Sequence, residues 1–308
     1  MSTRASGMAR LGNGAVAGGA RGAGSGVTPV AHPSTALSRF LHNRWSVAGT
    51  IVVLAVVLMA ALAPILPLPD PDKTQPSRRL SAPSIHGFPL GSDHLGRDLL
   101  SRVVWGARIS LTVGALSAGI AMSAGTALGI VAGYYGGRID QIIMRAVDVV
   151  MAFPYILLAI ALVAALGPGL VNAMIAVAVV NVSFYARGVR GAVLLLREQE
   201  FVEAARAIGS TELRILVKHI LRNIVAPILV FVSMNIGVMI TEMAGLSFIG
   251  LGAQPPTADW GTMLADGRQF ITVASHVAAV PGLAIFILVL GFNLVGEGLR
   301  DALDPRVR

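Results

Sequence analysis

The chain alternates between long apolar runs without charge and shorter charged segments. Five runs contain no Asp, Glu, Lys or Arg: residues 45–69, 109–137, 149–186, 223–241 and 269–296. A helix of about 20 apolar residues crosses the roughly 30 Å hydrocarbon core of a bilayer. The pattern therefore predicts several membrane-spanning helices.

The third run is too long for one crossing, and its middle reads GPG at 167–169. Because glycine and proline together mark turns, we divide this run into two helices. The sequence therefore predicts an all-α membrane protein with six transmembrane helices, the first at about 45–66. The Phe153-Pro154 step predicts a kink in the third helix.

The charged and polar segments predict how the chain is organised. Residues 1–38 are rich in Gly, Ala and Arg and lack apolar periodicity, which is typical of a disordered tail. Residues 39–308 form one transmembrane domain. It carries two polar segments on one side of the membrane, 67–108 and 253–276, and a charged loop on the other side, 190–222.

The basic residues are distributed unevenly between the two sides. The net charge is +8, and most of the 24 Lys and Arg residues fall in the tail, the loop 190–222 and the other segments on that side. Lys and Arg concentrate on the cytoplasmic side of membrane proteins, so we expect both termini to be cytoplasmic. Since orientation explains the basic excess, we expect no nucleic-acid partner.

Composition argues against a metal or catalytic centre. The chain is 55% hydrophobic and only 13% charged, against about 25% charged in soluble domains. It has no cysteine, and its six histidines are dispersed. The trio Asp93, His94 and Asp98 would suit a metal or acid–base site, but capping and turn formation explain the same residues. We therefore predict no metal site and no catalytic residue.

The second predicted helix carries small residues at every fourth position. A smooth ridge of this kind lets a neighbouring helix approach closely inside a bilayer. Packing against another helix is one interpretation, and lining a substrate path is the other. The ridge consists of Ser117, Ala121, Gly125, Gly129, Gly133 and Gly137.

A few polar residues fall inside the predicted spans. Asn181 lies in the fourth span, and Asn235 and Glu242 lie in the fifth. Ionisable groups at membrane depth usually face protein or water and are candidates for function. Glu242 falls toward the outer third of its helix, where lining a pathway and pairing within the protein are both open.

The loop 190–222 contains FVEAARAIGSTELRILVKHI at 201–220. Helical spacing predicts one short helix with an apolar stripe of Phe201, Ala204, Ala205 and Ile208. Gly209 fits a left-handed C-terminal cap, after which a second helix begins. Since the stripe has no obvious partner within the chain, it suits either a groove on another protein or the membrane surface.

The order Glu-Ala-Ala, three residues, then Gly resembles the EAA signature of permease subunits in ATP-binding-cassette importers. Other stretches resemble the second permease of dipeptide and oligopeptide importers, in the same order and spacing. They are GSDHLGRDLLSR at 91–102, GARISL at 106–111, AGYYGG at 132–137, LSFIGLGAQPP at 246–256 and GLRDALDPR at 298–306.

The resemblance implies a type I importer permease bundle in the cell inner membrane. It assigns ATPase coupling to Glu203, Ala204, Ala205 and Gly209. It further implies a homologous second permease, two ATP-binding subunits that hold ATP and Mg, and an extracytoplasmic peptide-binding protein facing the two outer segments. Arg222 stands where the family usually has a proline, so the helix there is free to continue.

No P-loop pattern occurs, and the only lysines are Lys73 and Lys218. The chain is therefore expected to have no cofactor of its own and not to be an enzyme. A related nickel importer would share much of the motif set. An ion-coupled secondary transporter would need ionisable groups near the bilayer centre, for which Glu242 is the one candidate.

Overall fold

In the computed structural model, residues 36–84 and 87–303 are described, and they form helices, loops and one isolated bridge between Ser92 and Asp98. A π-helix, Ile215–Leu221, joins α8 to α9. The α-helices are α1 (Ala36–His42), α2 (Arg44–Leu62), α3 (Leu99–Tyr135), α4 (Gly137–Met151), α5 (Tyr155–Leu166), α6 (Leu170–Arg197), α7 (Glu200–Ala207), α8 (Glu212–Arg214), α9 (Arg222–Phe248), α10 (Trp260–Gly267) and α11 (His276–Leu303).

The predicted tail 1–38 lies mostly outside the described residues. Its last residues, 36–38, begin α1, so they are helical rather than part of a structureless tail. The α2 helix follows after Asn43, whose side chain accepts a hydrogen bond from the Trp45 N–H at 3.0 Å. This cap explains why the first span begins at Arg44.

Within the described residues, five helical segments are long and apolar enough to cross a membrane: α2, α3, α6, Glu212–Phe248 and α11. The predicted third span differs from expectation. Instead of one kinked helix, α4 and α5 meet at a bend of 91°, because the proline at 154 lacks the N–H that would continue the helix. α5 has 12 residues, or about 18 Å of helix, which is too short to cross a membrane alone. A sixth span therefore exists only if α4 and α5 together count as one span.

The second span begins earlier than its uncharged run. Asp98 caps α3 by accepting hydrogen bonds from the N–H groups of Leu100 at 3.2 Å and Ser101 at 3.3 Å. α3 therefore starts inside the predicted outer segment 67–108. Its 37 residues span about 55 Å, so its two ends lie at opposite ends of the bundle.

Glycines on α3 bring it into close contact with α6. A Cβ added at Gly125 would lie 2.5 Å from the Tyr185 Cβ, and one at Gly129 would lie 2.6 Å from a backbone oxygen of α6. Gly133 meets Val193 in the same way, at 2.9 Å. Gly137 does not belong to this ridge. It starts α4 with φ +55°, and no atom of another described element comes within 4 Å of the position that a Cβ would take there.

Loops and α10 cover the end of the bundle where α3 begins. We call residues 67–84, 87–98 and 249–275 the capped end. Arg102, near the start of α3, donates to the carbonyl oxygens of Pro71 at 3.0 Å and Pro256 at 3.3 Å and pairs with Asp72 at 3.0 Å. Trp260 is buried, and its indole N–H donates to the Val103 carbonyl at 2.9 Å. One arginine and one tryptophan thus fasten both loops to α3.

Candidate functional site

The EAA loop, residues 190–222, is anchored on one face and open on the other. In α7, Val202 and Ala205 are buried in an apolar cluster with Ile215 and Ile220. Glu203 and its neighbour Ala204 are exposed, as is the glycine at 209. Of the four residues assigned to coupling, three are thus accessible and Ala205 is an anchor.

The predicted apolar stripe of α7 is therefore wrong in part. Ala205 packs inside the chain, so the loop does find a core of its own. Phe201 remains 39% exposed and Ile208 82% exposed. The physical reason is that α6, α9 and the C-terminal end of α3 close around the loop and bury the face that carries Val202.

Gly209 ends α7 with a left-handed conformation, φ +78°. Its N–H donates to the Arg206 carbonyl at 2.9 Å, and the Ser210 N–H donates to the Ala205 carbonyl at 3.0 Å. This pair of bonds is the Schellman arrangement, which favours glycine at this position. The next helix, α8, is preceded by Thr211 and has no side-chain cap.

The loop leaves toward the membrane without a break. After α8, the π-helix Ile215–Leu221 passes directly into α9, so Arg222 continues the helix. A proline occurs later, at Pro227, inside α9. The exit is thus one continuous segment, Glu212–Phe248, which joins the loop directly to the buried polar residues of α9.

Sequence reasoning missed the residue that joins α3 to both loop helices. The Tyr134 hydroxyl donates to the Glu212 carboxylate of α8. The Arg206 guanidinium of α7 lies 5.5 Å from the Tyr134 ring centroid. Interaction with the Tyr134 hydroxyl also raises the pKa of Arg206. A polar aromatic residue at the end of an apolar run, as in AGYYGG, was the available signal.

The polar residues predicted inside the spans come together in the structure. The Asn181 side chain donates one hydrogen bond to Glu242 at 2.8 Å and another to the Val177 carbonyl at 2.9 Å. Asn181 and Glu242 are both 8% exposed. Asn235 lies about two helical turns before Glu242 on α9. Its side chain donates to the Phe231 carbonyl at 2.8 Å.

All three residues line one cavity of about 500 Å³. The cavity lies between α6, α9 and the bend that separates α4 from α5. Irregular backbone at membrane depth is tolerated where it lines such a cavity. Its other polar and aromatic side chains are Phe153, Tyr155 and Phe184.

The Asp93, His94 and Asp98 trio serves the local structure. Asp93 accepts from the N–H groups of Leu95 and Arg97, each at 2.9 Å, and pairs with the Arg97 side chain at 2.5 Å. Asp98 caps α3, and burial raises its pKa. No group of three His, Asp or Glu side chains suited to a metal occurs in the described part of the chain.

Comparison with known proteins shows the family of the chain. Residues 125–308 match the family described as the binding-protein-dependent transport system inner membrane component. Residues 34–83 match the N-terminal transmembrane domain of oligopeptide transport permease C. The fold resembles that of a chain in crystal structures of inward-facing conformations of the MetNI methionine ABC transporter. One has a TM-score of 0.56 at 19% identity, covering 67% of this chain and 98% of that chain.

Curated relatives are identical to this chain at almost half of the aligned positions. The dipeptide transport system permease protein DppC of Alkalihalophilus pseudofirmus is 48% identical over 89% of this chain and 90% of its own. The glutathione transport system permease protein GsiD of Pectobacterium atrosepticum is 47% identical over 88% of this chain and 90% of its own. The protein is a permease subunit with several spans in the inner membrane, and it is not itself an enzyme. The chain belongs to the family of binding-protein-dependent transport system inner membrane components, whose members work with an ATPase and a binding protein.

Proposed function

We propose that this chain is a permease of an ATP-driven importer for dipeptides or oligopeptides. It forms half of the translocation pathway, and a homologous second permease forms the other half. Two ATP-binding subunits carry the ATP and Mg, and an extracytoplasmic peptide-binding protein delivers the cargo. The names of two relatives, which refer to dipeptide and glutathione transport, support a peptide substrate.

The proposed topology has six spans in a type I importer bundle with both termini in the cytoplasm. The sixth span is the bent pair of α4 and α5. The EAA loop then lies in the cytoplasm, and the capped end faces the binding protein. The concentration of basic residues on the side of the EAA loop supports this orientation.

One observation carries the coupling role. α7 is held from one side by buried side chains, Val202 and Ala205, and presents Glu203 and Ala204 on the other. The exposed apolar side chains of Phe201 and Ile208 border the same surface. A short helix fixed in this way transmits the movement of a docked subunit to α3 and α9. The reason is that the buried side chains of α7 belong to the same apolar cluster as buried side chains of α3 and α9.

The test is ATP-driven uptake of alanyl-alanine by the complete complex in proteoliposomes. Glu203→Lys reverses an exposed charge, so we expect normal insertion but uptake lowered by about tenfold or more, as for central interface residues. ATP hydrolysis should no longer follow peptide delivery. Glu200→Lys makes the same charge change in the same turn and is the matched control, with an expected effect below about threefold.

Uptake and ATPase association at wild-type levels in Glu203→Lys would rule out the coupling role. Replacing the peptide by Ni²⁺ separates a peptide importer from a nickel importer. Uptake that follows an ion gradient without ATP would instead indicate a secondary transporter.

A further inference from the structure

The cavity around Glu242 has an unusual balance of hydrogen-bonding groups. Asn181 has two amide hydrogens, and both are used, one by the Val177 carbonyl and one by Glu242. The remaining oxygen of Asn181 is an acceptor. One Glu242 oxygen receives the Asn181 bond, and its other oxygen has no hydrogen-bond partner within residues 36–84 and 87–303.

Asn235 adds a third acceptor oxygen to the lining. Its amide nitrogen donates to the Phe231 carbonyl of its own helix, which leaves its oxygen and one hydrogen for the cavity. Most polar atoms that remain for a ligand are therefore acceptors. A ligand that fits them must bring hydrogen-bond donors.

The charge of the site points the same way. Glu242 is the one ionisable acid among the lining residues, and no Lys, Arg or His lines the cavity in the described part of the chain. A buried carboxylate without a cationic partner is costly. A cation with several N–H donors would satisfy both the charge and the acceptors.

The rest of the lining suits a small organic cation better than a metal ion. Phe153, Tyr155 and Phe184 supply aromatic rings, and the other lining side chains are valines and a methionine. Aromatic faces attract ammonium groups, whereas hard metal ions need several oxygen ligands in a closed shell. The volume of about 500 Å³ lies in the range of ligand pockets, roughly 300–1,000 Å³.

We propose that Glu242, oriented by Asn181, binds the ammonium group of a peptide in transit, foremost its free α-amino group. This inference rests on the proposed function and assigns a contact to the cargo within the pathway. The carboxylate accepts from the ammonium group, and the aromatic and aliphatic walls accommodate the apolar part of the peptide. N-terminal acetylation would remove both the charge and the donors that the site requires.

Glu242→Gln tests the charge while preserving the shape. The glutamine carbonyl still accepts the hydrogen bond from Asn181, so we expect the complex to assemble. Uptake of alanyl-alanine, delivered by saturated binding protein, should fall by about tenfold, because a charge-assisted hydrogen bond is lost. ATP hydrolysis stimulated by the binding protein should stay within about twofold.

Glu297→Gln is the matched control. Glu297 is also a carboxylate on a long apolar helix, α11, but it is exposed and does not line the cavity. Its substitution should leave uptake unchanged. Wild-type uptake in Glu242→Gln, or equal loss of uptake and ATP hydrolysis, would overturn the proposal.

A second measurement reports on the site without relying on transport. A hydrophobic carbodiimide labels buried carboxyl groups, and mass spectrometry quantifies the label at Glu242 in the complete complex. Alanyl-alanine at millimolar concentration should protect Glu242, whereas N-acetyl-alanyl-alanine should not. Labelling at Glu297 should be unaffected by either peptide.

The two measurements separate the two proposals. If the wild-type complex does not take up alanyl-alanine with ATP, the proposed function fails, yet the labelling still decides whether the cavity binds an ammonium group. N-acetyl-alanyl-lysine distinguishes the two ammonium sources, since protection by it shows that a lysine side chain also serves. Equal labelling with and without alanyl-alanine would overturn the site.

Discussion

The loops at the two ends of the helix bundle are held in place by different kinds of contact. At the capped end, loops are fixed by buried charge and by hydrogen bonds to backbone, as Arg102 and Trp260 show. The EAA loop is fixed mainly by apolar side chains such as Val202 and Ile215 and leaves other apolar side chains exposed. One end holds its loops mainly by polar contacts to α3, and the other buries apolar side chains on one face only.

This difference indicates where each end finds its partners. A loop that is held by polar contacts within the chain keeps its shape when a partner leaves. An exposed apolar surface on a firmly anchored helix gains most when another protein covers it. We therefore expect substitutions at the capped end to affect folding first, and those on the open face of the EAA loop to affect assembly first.

The largest effect is expected for Arg102→Met. The change removes the buried guanidinium that donates to Pro71, Asp72 and Pro256 and leaves these partly exposed oxygen acceptors without it. Breaking such a buried arrangement costs about 3–5 kcal/mol of unfolding free energy. For a chain of this size that is a fall of roughly 10 °C in Tm, measured by thermal unfolding in detergent.

Arg108→Ala is its control on the same helix. Arg108 is exposed and lies over the Trp105 ring at 5.8 Å, so the expected change is within about 0.5 kcal/mol. Equal Tm values for Arg102→Met and Arg108→Ala would show that the capped end does not depend on this arginine.

The next effect separates the two faces of the EAA loop. Ile215 is fully buried and Leu213, two residues earlier, is 71% exposed. Ile215→Ala should cost about 2–4 kcal/mol through the cavity that it leaves. Leu213→Ala should leave Tm nearly unchanged but weaken co-purification with the ATPase subunits. If both variants lower Tm equally, the open face is not a free surface.

The sequence predicted the elements that depend on local pattern. Uncharged runs located the spans, and the spacing of small residues located the contact between Gly125, Gly129 and α6. The position of Gly209 at the end of α7 followed from its conformational freedom. The pattern missed the start of α3, because Arg102 is a charged residue that becomes buried through tertiary contacts.

The sites were predicted as separate residues rather than as arrangements. Periodicity placed Asn181 and Glu242 inside spans, but their contact joins distant helices and has no local signature. The burial of Ala205 likewise depends on which neighbours close around α7. The 91° bend exceeds the expected kink, since proline predicts where a helix stops and not the direction that follows.

A smaller effect is expected where α3 meets the loop. Tyr134→Phe removes the hydrogen bond to Glu212 but keeps the ring beside Arg206. We expect a loss of about 1–2 kcal/mol in local stability, as for a hydrogen bond to a charged group. Hydrogen exchange in residues 200–214 should become faster by roughly tenfold. Tyr135→Phe, at the exposed neighbouring tyrosine, should not change it.

The smallest effect tests a single cap at the opposite end. The Asp259 carboxylate accepts from the Thr262 N–H at 3.1 Å at the start of α10, so Asp259→Ala should cost about 1 kcal/mol.

Burial raises the pKa of Asp259. A carboxyl group with a raised pKa in the folded state stabilises the fold fully below its unfolded pKa of about 3.9 and loses that contribution as pH rises through its folded pKa. Asp259→Asn keeps an acceptor for the cap without the charge. The Tm of the wild type relative to this variant should therefore fall between pH 4 and neutral, and a constant difference across that range would contradict the assignment.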